Sequence, residues 1–148
     1  EQILVAADER DIVRTRSNAR GEAVYLYRLQ MSQANVRALF LEYLHAANEL
    51  RRAPRFYNTL TSNCTTIVFE LARLIAPALP MDYRLLLSGH FAEYIYDLHG
   101  LTPGHRYAEL QALGHINERA LASDASGDDF SMSIRQGVPG VPADEVSP

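Results

Sequence analysis

The chain has 148 residues, of which 47% are hydrophobic, and a formal net charge of −4. This is enough apolar material for a folded core. All 14 basic residues are arginine, which excludes a Schiff-base lysine or a lysine general base, and they form no clustered basic excess of the kind that binds nucleic acid. No apolar run reaches the roughly 18 residues of a membrane span, so membrane contact is expected only through parts outside this chain.

Two segments in the N-terminal part of the chain have the pattern of β-strands. Residues 2–6 form a short apolar run, and residues 23–29 alternate, with Val24 and Leu26 on one side and two tyrosines on the other. Because a two-stranded sheet is marginal by itself, we expect the other strands in sequence that precedes this chain. The absence of an initiator methionine and of a signal-like start also favours an N-terminally truncated domain.

Three helices are predicted in the middle of the chain. Ser32 is a suitable N-cap for the first, which ends before Pro54, and the second runs from Cys64 to Pro77. The third begins near Ser88-Gly-His90 and ends at Gly100. The predicted buried face of the first helix consists of Val36, Leu39, Phe40, Tyr43, Leu44 and Ala47, and that of the third consists of Phe91, Tyr94, Ile95 and Leu98.

The C-terminal part has a different composition. A short helix is predicted at residues 107–113, and the Ser, Asp, Gly and Pro content after residue 122 predicts irregular chain. The acids of residues 121–148 outnumber a single arginine and carry the whole net charge. We therefore predict one domain, residues 1–120, and an acidic, largely irregular tail, residues 121–148, with Phe130, Met132 and Ile134 packed on the body.

The only cysteine, Cys64, lies where a polar loop meets the second predicted helix. Ile67, Val68, Leu71 and Ile75 follow it at the spacing of one buried helical face, which Cys64 continues. At a helix N-terminus, unpaired N–H groups and the helix dipole favour the thiolate, which is the nucleophilic form of cysteine. The pattern predicts a cysteine nucleophile, and the alternative is a small apolar residue in a core.

The loop before Cys64 favours the catalytic interpretation, because it has more hydrogen-bonding groups than one helix start needs. Asn63 is a good N-cap for the helix. Tyr57, Asn58, Ser62 and Asn63 are candidate substrate-binding residues that, with the N–H of Cys64, could stabilise an oxyanion.

A cysteine nucleophile also needs a base, which is usually a histidine. His90 is the best-placed candidate, beside a predicted helix start, and its alternative is a structural histidine bonded to a backbone carbonyl. His45 lies on the outer side of its helix and is expected to face solvent. The histidines form no HxH or HxxxH pair, so no metal site is predicted, and the chemistry needs no cofactor.

Several motifs together resemble the Lnb N-terminal periplasmic domain family. They are Tyr57-Asn58, Asn63-Cys-Thr-Thr66, Leu79-Pro-Met-Asp-Tyr-Arg-Leu-Leu-Leu-Ser-Gly-His90 and Ala92-Glu-Tyr94. Asp8-Glu-Arg-Asp11 with Arg14 is similar to the family's region ahead of these motifs. The resemblance extends from near residue 4 to about residue 140.

This resemblance implies a permuted papain-like (NlpC/P60-like) cysteine-enzyme fold of the α+β class, with helices packed on a small antiparallel sheet and Cys64 as nucleophile. It also implies the periplasm of a Gram-negative bacterium, with the parent protein anchored to a membrane. Family members look like lipoprotein N-acyltransferases, in which a cysteine takes an acyl chain as a thioester and passes it to an amine. The permuted order puts the catalytic histidine before the cysteine, which leaves open whether this chain is active alone.

Two functions therefore stay open. The first is cysteine-based acyl transfer, or amide or ester hydrolysis, on an acyl or peptide substrate such as a lipoprotein or a phospholipid. The second is a non-catalytic periplasmic module that binds a lipid, a peptide or a partner protein. Exposure of the Cys64 thiol distinguishes both from a cysteine that only packs in a core.

Overall fold

The computed structural model describes residues 2–56 and 64–142. They belong to two compact units, each built from two stretches of the chain. The first unit comprises Glu1–Val5 and Met31–Gly100, and the second comprises Ala6–Gln30 and Leu101–Pro148. None of the helices described in either unit is both long and apolar enough to cross a membrane.

Helices make up the regular structure of the described residues. In chain order the α-helices are α1 (Glu9–Arg14), α2 (Gln33–Arg52), α3 (Cys64–Ile75), α4 (Phe91–Asp97), α5 (Tyr107–Gly114), α6 (Asn117–Ser126) and α7 (Phe130–Arg135). A π-helical turn at Thr15–Ala19 extends α1, and two 3-10 turns, Tyr83–Leu85 and Ser88–His90, precede α4.

The predicted α+β fold, in which helices pack on a small antiparallel sheet, is wrong. Within residues 2–56 and 64–142 the chain forms helices and no β-strand. Residues 2–6 are irregular, and residues 23–29 are extended but take part only in two isolated bridges. These bridges join Tyr25 to His115 and Leu29 to Leu101.

The alternation in residues 23–29 reflects burial of one side of an extended segment. Val24 and Leu26 pack against the buried cluster of the second unit, whereas the outward-facing Tyr25 and Leu29 are 42% and 45% exposed. An extended segment lying on helices alternates inward and outward residues as a strand does. The period of the sequence therefore could not distinguish this segment from a strand in a sheet.

The core of the first unit joins α3 to α4 and to the 3-10 turn Tyr83–Leu85. Phe69, Leu85 and Tyr94 form the buried cluster, and the rings of Phe69 and Tyr94 meet edge to face with centroids 6.3 Å apart. The Tyr94 hydroxyl donates a hydrogen bond of 2.7 Å to the carbonyl of Pro80. Burial of each such side chain contributes about 1.5–3 kcal/mol, so this cluster fixes α3 within the unit.

Two predicted helix ends are confirmed by their capping geometry. The Ser32 hydroxyl accepts a hydrogen bond from the Asn35 N–H at 3.2 Å, where α2 begins. After α4, the Gly100 N–H donates to the Ile95 carbonyl at 2.9 Å. A Cβ on Gly100 would lie 2.8 Å from Cγ2 of Ile95, so glycine is needed for this close approach. His99 adopts the left-handed conformation, with φ of 57°.

The predicted buried face of α2 is wrong for half of its residues. Val36, Phe40 and Leu44 are exposed, and Leu39, Tyr43 and Ala47 are half-buried. The spacing of the apolar residues predicted the helix correctly. The described part of the first unit, however, covers only the side of α2 that contacts α3. His45 is exposed, as predicted.

The core of the second unit lies between α6 and α7. Ile116, Ala120, Phe130 and Ile134 form the buried cluster, against which Val24 and Leu26 pack. Two ion pairs attach α1 to these helices. Arg135 donates to both carboxylate oxygens of Glu9, at 2.6 and 2.7 Å, and Arg14 Nε donates to Asp124 Oδ1 at 2.6 Å.

The segment predicted as an irregular tail contains α7 and the last turns of α6. Burial of Phe130 and Ile134, at 3% and 1% exposure, confirms that this part of the chain packs on the body. The division of the chain into a domain and a tail at residue 120 stays a prediction.

The close contact of Gly114 with the extended segment leads to a stability prediction. A Cβ on Gly114 would lie 2.7 Å from the carbonyl oxygen of Leu26. The backbone of Leu26 has little room to move, because its N–H donates a hydrogen bond of 2.8 Å to the Gly114 carbonyl. We expect Gly114→Ala to lower the free energy of unfolding by about 1–3 kcal/mol in urea denaturation.

Gly89→Ala is the matched control, because a Cβ at Gly89 meets no atom within 4 Å. We expect that variant to unfold at the wild-type urea concentration. Equal stability of the two variants would show that the contact at Gly114 does not constrain the extended segment.

Candidate functional site

Cys64 is the first residue of α3, and it is exposed. Its Sγ lies 4.0 Å from Oγ1 of the buried Thr65. The thiol therefore lies at the positive end of a 12-residue helix, where backbone N–H groups without helical partners favour an anion. The predicted position of Cys64 at a helix start is confirmed, whereas its inclusion in a buried face is wrong.

The four candidate substrate-binding residues, Tyr57, Asn58, Ser62 and Asn63, lie outside the described residues. Their contribution to a site at Cys64 stays a prediction. The same holds for Asn63 as the N-cap of α3.

His90 ends the 3-10 turn Ser88–His90 and directly precedes α4. It is exposed, and its Nδ1 lies 3.3 Å from Oε2 of Glu93. Within the part of the chain that the structure describes, the His90 ring makes no hydrogen bond with the Cys64 thiol. Its role in catalysis stays a prediction.

α3 buries two sides of its surface. Leu71 is buried on the side predicted from the sequence, where Ile67, Val68 and Ile75 are half-buried. Thr65 and Phe69 are buried on another side, one helical turn apart. The burial of Thr65 was missed because a threonine in a Thr-Thr pair gives no apolar signal.

A groove of about 640 Å³ runs along a further side of α3. It is lined by Thr66, Phe69, Glu70 and Arg73 of α3, and by Met81, Asp82, Tyr83, Leu85 and Leu86. Met81 and Tyr83 are 80% and 69% exposed, so apolar surface of the groove is open to solvent. We call this feature the α3 groove. The sequence did not predict it, because its lining comes from two separated segments.

Position along and around the helix relates the α3 groove to Cys64. Thr66 lies two residues after Cys64, so the groove reaches the first turn of α3. A helix turns by about 100° per residue, which directs the side chains of Cys64 and Thr66 to nearly opposite sides. The groove and the thiol are thus close along the helix axis but open in different directions.

One arginine holds the wall of the α3 groove together. Arg84 Nε and Nη2 donate to the two oxygens of Asp82 at 3.0 and 2.9 Å, and Nη1 donates to Asp97 at 2.6 Å. The guanidinium lies over the Tyr94 ring, 5.6 Å from its centroid. Hydrogen bonds from the Arg84 side chain and backbone N–H lower the pKa of Asp82. The motif Asp82-Tyr-Arg84 is therefore a structural clamp on α4.

No group of three or more His, Cys, Asp or Glu side chains within residues 2–56 and 64–142 is arranged to hold a metal ion. Two acids near the site, Asp82 and Asp97, are instead paired with Arg84.

Comparison with protein families identifies the first part of the chain. Residues 1–89 match the Lnb N-terminal periplasmic domain. The chain belongs to this family, and its domain is a periplasmic one. The match contains α2, α3 and the Arg84 clamp, and it ends one residue before His90. No curated protein and no solved structure matches the chain.

The Arg84 clamp predicts an acid-sensitive contribution to stability. The pKa of Asp82 is lower in the folded chain than in the unfolded chain, where it is about 3.9. The ionised Asp82 therefore stabilises the folded chain fully above the unfolded pKa, and this stabilisation is lost as the pH falls through the folded pKa. We expect the stability advantage of the wild type over Asp82→Asn to shrink as urea denaturation is repeated from pH 6 down to about pH 3.

Asp128→Asn is the control, because Asp128 lies in the second unit and does not contact Arg84. A wild-type advantage over Asp82→Asn that does not change with pH would contradict ionic pairing as the basis of the clamp.

Proposed function

We propose that this periplasmic domain supplies the nucleophile for cysteine-based acyl transfer, or for amide or ester hydrolysis. Cys64 is the nucleophile, and the substrate is an acyl ester or amide such as a phospholipid, a lipoprotein or a peptide. The observation that carries the proposal is the exposure of the only cysteine at the N-terminus of α3. A cysteine used only for packing is expected to be buried.

The proposed reaction has two steps: the first forms a thioester on Cys64, and the second consumes it. The thiolate sulfur adds to the substrate carbonyl carbon, and collapse of the adduct forms the S–C bond and breaks the C–O or C–N bond, while the leaving group takes up a proton. An amine or water then attacks the thioester, loses a proton to a base and releases the thiolate. Backbone N–H groups at the start of α3 are suited to stabilise the oxyanion of each adduct.

Membership of the family supports the periplasmic substrate class, and the position of Cys64 at a helix start supports the nucleophile. His90 is our candidate base among the described residues. Substrate binding by Tyr57, Asn58, Ser62 and Asn63 belongs to the same proposal.

The first test is trapping of the thioester. We expect the 148-residue chain, incubated with a fluorescent acyl ester or a synthetic diacylated lipopeptide, to gain one acyl mass that neutral hydroxylamine removes. Cys64→Ala should gain none, and its free energy of unfolding should stay within about 1 kcal/mol of wild type, because little volume is lost at an exposed position.

Cys64→Ser keeps nearly the same side-chain shape but replaces the thiol by a less nucleophilic hydroxyl. Its acyl adduct, if formed, is an oxygen ester that neutral hydroxylamine removes far more slowly than a thioester. A folded Cys64→Ala variant that turns over the ester at the wild-type rate contradicts the proposal. His90→Gln tests the base separately, and a normal acylation rate in that variant would assign the base to another group.

A second function, binding without catalysis, is favoured by the α3 groove. Its volume is in the range of small-molecule sites, and its lining is mostly apolar. We propose that a hydrophobic segment of a lipid or peptide occupies it if Cys64 is not a nucleophile.

The binding function is tested with phospholipid vesicles in a sedimentation assay. We expect Met81→Glu to weaken association at least tenfold, since a charge is placed in an apolar groove, which corresponds to about 1.4 kcal/mol. Leu121→Glu is the control, because Leu121 is 54% exposed on α6 and lies in the other unit. Equal association of both variants would exclude the groove as the lipid site.

A further inference from the structure

A second cleft in the first unit lies between α2 and α3. Its volume is about 250 Å³, and the described residues that line it all belong to this unit. Its apolar lining consists of Ala46 and Leu50 of α2 and Ile67, Leu71 and Leu74 of α3. We call it the α2–α3 cleft. Leu71 is buried, whereas Leu74 is 63% exposed, so the apolar lining is partly open to solvent.

The α2–α3 cleft lies on the side of α3 that carries Cys64. Ile67 and Leu71 follow Cys64 by three and seven residues, which is the spacing of neighbours on one face of a helix. Neighbours three residues apart have Cβ atoms about 5–6 Å from each other, so the cleft begins beside the thiol. The exposed Cys64 side chain can turn its sulfur towards Ile67, because more than one χ1 rotamer is common in helices.

Position along α3 sets the length of a chain that could extend from the thiol through the cleft. A helix rises by about 1.5 Å per residue, so Leu71 lies about 10 Å and Leu74 about 15 Å beyond Cys64 along the axis. An extended chain advances by about 1.2 Å per bond, so about nine bonds reach Leu71 and about twelve reach Leu74. The cleft is smaller than most sites that enclose a whole small molecule, which favours one chain of a ligand as its occupant.

The charged groups of the cleft favour a neutral occupant. Glu49 Oε2 lies 3.6 Å from Arg55 Nη2, so these two exposed side chains neutralise each other. Glu70 is exposed and adds a negative charge beside the apolar lining. The carboxylate of a free fatty acid would be repelled there, whereas the chain of an ester or an amide carries no charge.

We propose that the α2–α3 cleft holds a fatty acyl chain of the substrate while its carbonyl carbon reacts with Cys64. The proposal rests on Cys64 as the nucleophile, and it narrows the substrate to an ester or amide with a chain of about nine carbons or more. Burial of the methylene groups between α2 and α3 supplies binding energy and holds the carbonyl at the sulfur. The α3 groove is less suitable, because a chain bonded to the sulfur would have to cross the helix to enter it.

The first experiment measures how fast Cys64 of the 148-residue chain reacts with ethyl, butyl, octyl and dodecyl methanethiosulfonate, below their micelle-forming concentrations. Each reagent attaches its alkyl chain to the thiol by a disulfide and releases methanesulfinate, so no catalysis by the protein is needed. Each rate is divided by that of free N-acetylcysteine. We expect the ratio to rise at least about tenfold from ethyl to octyl, because removal of only two methylene groups from water already gives that effect.

Gln33→Cys in a Cys64→Ala background is the control thiol. Gln33 is the exposed first residue of α2, so this thiol also lies at a helix start but does not line the cleft. We expect its relative rate to be independent of chain length.

Leu74→Glu tests the far end of the cleft. We expect this variant to lower the dodecyl rate at least about threefold and to leave the butyl rate unchanged, since only the longer chain reaches the new charge. Leu121→Glu is the matched control, because Leu121 is 54% exposed on α6 in the other unit. It should react as wild type does with every reagent.

Three results would overturn the proposal: relative rates that do not depend on chain length, a Leu74→Glu variant with the wild-type dodecyl rate, and a dodecyl rate that falls in Met81→Glu instead. Acetyl and octanoyl esters separate this proposal from the acyl-transfer function. Thioester formation at equal rates from both esters would overturn the cleft proposal and leave Cys64 as the nucleophile. Chain-length dependence without a thioester from either ester would exclude the nucleophile and support the cleft as a site for an alkyl chain.

Discussion

Packing of Phe69 against Tyr94 is the interaction on which the first unit depends. The two rings meet edge to face in a cluster completed by Leu85, and both are almost fully buried. This contact joins α3 to α4 and so fixes the helix that begins at Cys64. The Arg84 guanidinium lies on the Tyr94 ring and holds Asp82 and Asp97, so the polar part of the motif supports the same contact.

This arrangement separates the supporting residues from the proposed nucleophile along a short stretch of sequence. Asp82, Arg84 and Tyr94 bond to one another or to backbone, and their role is to hold the groove wall and α4. Cys64 lies on the surface at the start of the helix that they support. A rigid helix with an exposed thiol at its positive end is a suitable scaffold for a nucleophile, because placement of the sulfur costs little further ordering.

Some features of the site could be predicted from residue type and spacing. The position of Cys64 at a helix start followed from the change from polar sequence to apolar residues with helical spacing, and the end of α4 shortly before Gly100 followed from the glycine. His90 shows the limit of such reasoning. Its place beside α4 was predicted, but the distance between its ring and the thiol depends on how α3 and the 3-10 turns pack, which no local pattern encodes.

The sequence by itself determined the approximate ends of α2, α3 and α4, the family, and the position of the one cysteine at a helix start, because capping residues, glycines and motifs act locally. Only the tertiary structure decided that residues 23–29 lie on helices and not in a sheet, since alternation reports burial of one side and not the identity of the neighbour. It also decided that Val36, Phe40 and Leu44 of α2 stay exposed. The depth of burial of a helix face depends on the elements around it, whereas its period depends on the helix alone.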